Sequence, residues 1–194
     1  IHGCLVGSEM CIRDSLQFKH SRYQEAWQTW THAITLCREG EYRSNEANIL
    51  GLLGMVCRRT GQQQRALDVY RRALDMHRDS GNRRYEAFIL GNIGVILMNR
   101  GKLSQARDNM EAALKIHRAL GNQRDQSPVL GNLAVACQRE ERFEAAAVYH
   151  HEALAIHRAS RNRRAEGIEL LNLGELHRLQ GQWAEARELS LIHI

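Results

Sequence analysis

The 194-residue sequence has little of what a sheet or a membrane segment would need. It contains one proline, and aromatic residues make up only 6% of the chain. Runs rich in Val, Ile and Thr, typical of strands, are absent, whereas Ala, Leu, Arg, Glu and Gln, which favour helix, are abundant. No apolar run approaches the roughly 20 residues of a membrane-spanning helix. We therefore predict an all-α protein that does not enter a membrane.

Lysine is also scarce, being confined to Lys19, Lys102 and Lys115, and arginine supplies most of the positive charge. The formal net charge is +5, from 27 basic and 22 acidic residues. A basic chain can attract nucleic acid or acidic partners. Arg and Glu alternate throughout, however, which is the pattern of ordinary solvated helix faces. Nucleic-acid binding, which needs a continuous basic surface, is therefore the less favoured interpretation.

The two ends differ from the rest of the chain. Residues 1–15 and 190–194 carry no helical period and resemble translated sequencing-adapter read-through. We expect both segments to be non-native and leave them out of the fold prediction. The alternative for residues 1–15 is a short native extension.

Cysteine gives no framework for cross-links. Cys4 and Cys11 fall in the N-terminal segment, which leaves Cys37, Cys57 and Cys137. An odd number without CxxC spacing predicts neither disulfides nor a zinc site. Cys57 and Cys137 lie on apolar helix faces and are expected to be small buried residues. This usage favours a reducing, cytoplasmic setting.

Most of the sequence repeats at one fixed spacing, the interval from Ala26 to Ala66 and again from Ala66 to Ala106. Four columns of identical residues recur at this spacing: Ala26, Ala66, Ala106, Ala146 and Ala186; Ala33, Ala73, Ala113 and Ala153; Arg38, Arg78, Arg118 and Arg158; and Leu50, Leu90, Leu130 and Leu170. A fixed period of about 20–50 residues is typical of a solenoid, in which each repeat packs on its neighbours.

Each repeat is predicted to contain two helices. Leu90, Ile93, Gly94 and Leu97 recur at helical spacing, and Gly101 then provides the turn to a second helix. In each repeat, Gly or Ala in the first helix and Ala in the second are expected to let the two helices approach closely. The residues concerned are Gly54, Gly94, Ala134 and Gly174 in the first helices, and Ala66, Ala106 and Ala146 in the second. Asn82 and Asn122, which follow glycines, are expected to cap the next first helix.

These motifs resemble the tetratricopeptide repeat. Leu50, Leu53 and Gly54 match its Leu-x-x-Leu-Gly opening, and Ala66 and Tyr70 match its second helix. The opening aromatic is replaced by Leu, the closing Pro by Arg, and the repeat exceeds the usual length of about 34 residues. The longer form resembles repeats of spindle-orientation adaptors, kinesin light chain and bacterial signalling proteins. The resemblance covers about residues 22–189 and implies a right-handed α-solenoid of antiparallel helix pairs.

The repeat period divides a predicted repeat domain at residues 16–189. The predicted units are a partial unit at 16–43, full units at 44–83, 84–123 and 124–163, and a truncated unit at 164–189. Because no polar capping helix is visible at either end, we expect the chain to be a fragment of a larger protein.

The resemblance also implies a binding surface on the first helices. In the family, an Asn two residues before the small Gly or Ala holds the backbone of a bound peptide, and the matching residues are Asn92, Asn132 and Asn172. The alternative is that these amides bond neighbouring helices. Eight residues earlier, Arg84, Arg124 and Arg164 would suit acidic side chains if the helices begin that early. Ser127-Pro128 is a possible helix start that would leave Arg124 in a loop, and a merely solvated face is an equal alternative.

Polar contacts alone would bind a peptide weakly, so apolar anchors are needed as well. Exposed Arg–carboxylate pairs contribute roughly 0.2–1 kcal/mol each. Phe88, Met55 and Val95 are the candidates, from their positions on the first helices.

Metal and catalytic sites find little support in the sequence. The pairs His77-Arg78, His117-Arg118 and His157-Arg158 stand a full repeat apart, and we expect them to close the second helices as cations near the C-terminal dipole. The adjacent His150 and His151 point apart on a helix. No phosphate-binding loop or nucleophile elbow occurs. We therefore predict no catalytic residues, no cofactor and no metal.

The favoured function is a scaffold that binds another protein or an extended peptide, for which acidic character would suit the arginines. An alternative is a regulatory module of a bacterial signalling protein, such as a transcription regulator or cyclase, that gates an attached effector. RNA binding is the third interpretation, and would weaken steeply with salt.

Overall fold

The computed structural model describes residues 23–25 and 27–183, and the regular secondary structure in these residues is α-helix. Helix α1 covers 23–25 and 27–39. The others, each 17 residues long, are α2 (Arg43–Arg59), α3 (Gln63–Asp79), α4 (Arg83–Asn99), α5 (Leu103–Ala119), α6 (Gln123–Arg139), α7 (Phe143–Ala159) and α8 (Arg163–Leu179). Residues 1–15 and 190–194 lie outside the described part, so their non-native origin stays a prediction, as do the predicted unit boundaries. None of the described helices is long and apolar enough to cross a membrane.

Each short connection between helices contains one residue with positive φ, and these residues follow one another at even intervals. After α2, the amide of Gln62 donates to the carbonyl of Cys57 (2.8 Å) and that of Gly61 to Arg58 (3.3 Å), the two bonds of a Schellman motif. The positive-φ residues are Glu41, Gly61, Gly81, Gly101, Gly121, Glu141, Arg161 and Gly181. One helix and one turn therefore make half of the sequence period, and two such elements make one repeat.

Asparagine side chains cap three of the first helices, as predicted for Asn82 and Asn122. The side-chain oxygens of Asn82, Asn122 and Asn162 accept from the amides of Tyr85, Asp125 and Ala165, at 3.2–3.4 Å. An amide in the first turn has no partner within its helix, so each Asn satisfies one otherwise unpaired donor. These caps fix where α4, α6 and α8 begin.

The described residues form two compact units, which divide between Gly81 and Asn82. In the first, α2 packs on α3. A Cβ added at Gly54 would lie 2.5 Å from the Tyr70 ring, so this approach requires glycine. Cys57 is fully buried in this unit, as predicted.

In the second unit, α4 pairs with α5 and α6 with α7, while α5 also packs on α6 and α7 on α8. A Cβ at Gly94 would meet the Met110 side chain at 2.6 Å and the carbonyl oxygen of Ala106 at 3.0 Å, which confirms the predicted close approach. Ala134, at the position equivalent to Gly94, is buried, and so is Cys137.

An arginine at the end of a second helix links it to the next first helix. Arg38 donates to Glu46 at 2.7 Å in the first unit, and Arg158 donates to Glu166 at 2.9 Å in the second. The hydrogen bond from Arg158 lowers the pKa of the Glu166 carboxyl. The arginine column was recognised in the sequence, but Glu46 and Glu166 were not recognised there as its partners.

The expectation that the neighbouring histidines act as cations is wrong for His77 and His117. Both side chains are almost completely buried, and burial lowers their pKa values. A hydrogen bond between His77 and the backbone of Ala47 opposes this shift. Because desolvation disfavours the charged imidazole, these side chains are core residues in their neutral form.

Candidate peptide-binding face

The candidate site lies on the first helices of the second unit, α4, α6 and α8. A Cβ at Gly91 on α4 would lie 3.7 Å from Val129 on α6, and one at Gly131 on α6 would lie 3.4 Å from Glu169 on α8. Small residues at 91 and 131 therefore allow the three first helices to run side by side.

Residues four apart on a helix share one face, so each first helix presents a row of three positions. The first two positions of each row are exposed and the third is half-buried. We call the following nine residues the first-helix face: Arg84, Phe88 and Asn92 on α4; Arg124, Pro128 and Asn132 on α6; and Arg164, Ile168 and Asn172 on α8.

Arg124 belongs to a helix, contrary to the alternative start at Pro128. Helix α6 begins at Gln123 and contains Pro128. The Asn122 cap sets this start, and the exposed Pro128 removes one backbone bond, to the Arg124 carbonyl. All three predicted arginines are thus exposed helical residues.

The three arginines differ in their partners. The Nε atom of Arg84 lies 3.3 Å from Oδ2 of Asp125 on α6. No ion pair of Arg124 or Arg164 occurs among the described residues. Asp125 was not recognised from the sequence as a partner of Arg84. Its charge does distinguish it there from Tyr85 and Ala165, the uncharged residues at the equivalent positions of the other repeats.

Asn92 already uses part of its amide. Its Nδ2 donates to the carbonyl oxygen of Phe88 at 2.9 Å within α4. An amide has a second N–H and a carbonyl oxygen, so this bond leaves capacity for a peptide backbone. The role of Asn92, Asn132 and Asn172 in binding stays a prediction.

The predicted apolar anchors fall into different surroundings. The Phe88 side chain is exposed on the first-helix face, whereas Val95 is half-buried. Met55 is half-buried in the first unit. Ile168, half exposed at the position equivalent to Phe88, was missed, although its offset of two repeats from Phe88 identifies it.

Buried and charged groups adjoin at Arg84. Burial lowers the pKa of His117, the nearby Asp125 carboxylate opposes that shift, and the Arg84 guanidinium adds to it. Nowhere in the described part of the chain, this region included, do three His, Cys, Asp or Glu side chains come together as a metal site would require.

The first unit carries a separate cavity of about 360 Å³, lined in part by Tyr23, Trp27, Val56 and Arg65. The Arg65 guanidinium lies 4.4 Å from the centre of the Trp27 ring and donates to Gln62 at 2.7 Å. Cation–π contact with Trp27 thus orders one wall of this cavity.

The helix pairs, the sequence period and the close Gly and Ala contacts agree with a known family. A tetratricopeptide repeat model matches residues 16–79, 85–159 and 125–191. The chain therefore belongs to the tetratricopeptide repeat family.

Solved structures of the same fold include BtubC (BKLC) from P. vanneervenii, with a TM-score of 0.80 and 22% identity over 90% of this chain and 73% of that one. The putative kinesin light chain repeats of Podosopora anserina give 0.71 and 14%, over 88% and 85% of the two chains. Aspartyl phosphate phosphatase F from Bacillus subtilis gives 0.71 and 14%, over 76% and 39%. No curated protein sequence matches the chain significantly. These likenesses confirm the predicted fold class, an all-α solenoid of TPR-like repeats.

Proposed function

We propose that the chain is a non-catalytic scaffold, working in the cytoplasm, that holds an extended segment of another protein on the first-helix face. Repeats of this family generally serve as protein-interaction modules. The observation that carries the proposal is the repetition of an exposed Arg and a half-buried Asn, eight residues apart, on three adjoining helices.

The face suits a peptide for chemical reasons. An Asn amide pairs with a peptide bond whatever the side chains of the peptide, and a row of amides spaced by repeats matches an extended backbone. Arg124 and Arg164 offer guanidinium groups to carboxylates, and Phe88 and Ile168 offer apolar surface between the polar rows. Each exposed Arg–carboxylate pair would contribute about 0.2–1 kcal/mol, so the apolar contacts must supply much of the affinity.

A peptide-library screen of the full chain tests the proposal. We expect hits that contain acidic residues, and we expect Asn132→Ala and Arg124→Gln each to weaken them while the helical circular dichroism signal stays unchanged. Lys115→Gln is the matched control, because Lys115 is an exposed cation on the second helix α5.

Three other results would count against the scaffold. Hits that ignore both substitutions would show that binding occurs elsewhere, and the absence of hits would favour a regulatory module. Binding of single-stranded RNA that falls steeply between about 50 and 200 mM salt would point to nucleic acid instead.

A further inference from the structure

Asp125 is held in place before it meets any partner. Its backbone amide donates to Oδ1 of Asn122 at 3.4 Å, and Nδ2 of Asn122 donates back to its carboxylate. The helix cap therefore orients this carboxylate at the start of α6.

From that position Asp125 reaches across to α4. Its Oδ2 accepts from Nε of Arg84 at 3.3 Å. The Arg84 side chain is 68% exposed and that of Asp125 34%, so the pair lies at the surface of the first-helix face. A carboxylate arriving from solvent at Arg84 would have to compete with one that is already there.

The same contact is impossible one repeat further on. Ala165 stands in the same relation to Arg124 as Asp125 does to Arg84, and the alanine side chain has no hydrogen-bond acceptor. Arg124 and Arg164 make no ion pair in the described residues. The three arginines are thus chemically alike but electrostatically different.

We propose that Asp125 makes the first-helix face selective for a segment of uneven charge, with its acidic residues at Arg124 and Arg164 and uncharged, apolar residues at Arg84 and Phe88. This inference rests on the proposed function and specifies the partner's chemistry. Asp125 repels an acidic residue at the α4 end and satisfies Arg84, while the exposed Phe88 ring beside Arg84 offers an apolar contact.

The test uses short peptides of equal length and one composition, half Glu and half Leu and Phe. Two peptides carry the acidic residues as a block, at the N-terminal or the C-terminal half, and a third alternates acidic and apolar residues. We expect one block peptide to bind the full chain more tightly than the alternating peptide of equal charge, by about 1.4- to 5-fold, the range for one exposed ion pair.

Asp125→Asn should then remove most of that difference by improving the alternating peptide, because Arg84 becomes available to it. Asp108→Asn is the matched control, an exposed aspartate on α5 whose loss should leave the difference intact. Thermal melts of both variants establish that the fold is retained.

The outcomes distinguish a failure of the proposed selectivity from a failure of the proposed function. Equal binding of the block and alternating peptides, together with indifference to Asp125→Asn, overturns the selectivity. The selectivity is also overturned if Arg84→Gln lowers the affinity of the otherwise wild-type chain for the block peptide as much as Arg124→Gln does. If no peptide binds, or if binding ignores Arg124→Gln, the proposed function fails and the selectivity fails with it.

Discussion

The Nδ1 atom of His150 on α7 lies 2.7 Å from Oε2 of Glu169 on α8, and both residues are buried. His150 occupies the repeat position of Tyr70 and Met110, and Glu169 that of Ile89 and Val129. Nε2 of His150 is buried without a hydrogen-bond partner among the described residues. One polar pair therefore occupies two buried positions at which the preceding repeat has Met110 and Val129.

Breaking this pair should cost more than replacing it. His150→Met alone leaves Glu169 buried and unpaired, and we expect a loss of about 3–5 kcal/mol in the free energy of unfolding. The double substitution His150→Met with Glu169→Val restores the residue types of the preceding repeat and should be neutral or stabilising by about 1–4 kcal/mol. Urea unfolding of the full chain measures both, with the exposed His151→Met as control. Additive losses in the double variant would contradict the argument.

Acid should destabilise the chain through His77 and His117. Burial lowers both pKa values below the ordinary 6.5, so the unfolded chain binds protons on these side chains at a pH where the folded chain does not. Stability is therefore fully present above pH 6.5 and falls as the pH drops below it, by at most about 1.4 kcal/mol per pH unit for each histidine. We expect His117→Gln to flatten the fall in unfolding free energy between pH 7 and 5. His151→Gln, an exposed control, should leave the slope unchanged. Because His77 is still present in His117→Gln, part of the slope should remain, and a slope as steep as that of the unsubstituted chain would refute the role of His117.

Glycine should improve two of the turns. Glu141 and Arg161 have φ values of 58° and 54°, in the left-handed region that costs a non-glycine residue roughly 1–2 kcal/mol. Glu141→Gly and Arg161→Gly should each raise the free energy of unfolding by about 0.5–1 kcal/mol, after the greater entropy of glycine in the unfolded chain is counted. Gly101→Ala is the reciprocal control: nothing lies within 4 Å of its Cβ position, so its expected loss reflects backbone conformation alone. Thermal melts with no gain for either variant would disprove the strain.

Two glycines of α4 should respond differently to alanine. Gly94→Ala places a Cβ 2.6 Å from Met110 and 3.0 Å from a backbone oxygen, whereas Gly91→Ala meets Val129 at an ordinary 3.7 Å. Both changes gain about 1 kcal/mol of helix propensity, but overpacking at 94 costs about 1–3 kcal/mol. We expect Gly91→Ala to be neutral or stabilising, and Gly94→Ala to be the less stable by about 1–3 kcal/mol in urea unfolding. Equal stabilities would show that the core yields freely at residue 94.

The helices and their packing could be predicted from the sequence because the repeat supplies the same signal several times. Leu50, Leu90 and Leu130 are all buried, and Asn82 and Asn122 cap their helices as predicted. Period, glycine turns and small residues are local or periodic properties, so they can be read along the chain without knowing which side chains touch.

The contacts that distinguish one repeat from another could not be predicted in the same way. Arg84 and Asp125 are 41 residues apart, and His150 and Glu169 are 19 apart, so each pairing depends on how particular helices pack. His77 and His117 were misjudged for the same reason, since their last-turn position suggested a cation whereas packing buried them. The sequence does show that these residues differ from those at the equivalent positions of other repeats. Which side chain each of them contacts, however, depends on the neighbouring helix.

The turns recur at even intervals with one backbone conformation, from Glu41 to Gly181. Removing or duplicating the segment between a turn and its equivalent in the next repeat therefore rejoins the chain in the same geometry, with each helix still correctly ended. Unequal recombination within the gene can thus lengthen or shorten the protein by whole repeats without any new turn having to evolve. Each such event adds or deletes one row of the proposed binding face, which makes the length of the recognised segment a heritable quantity that changes in discrete steps.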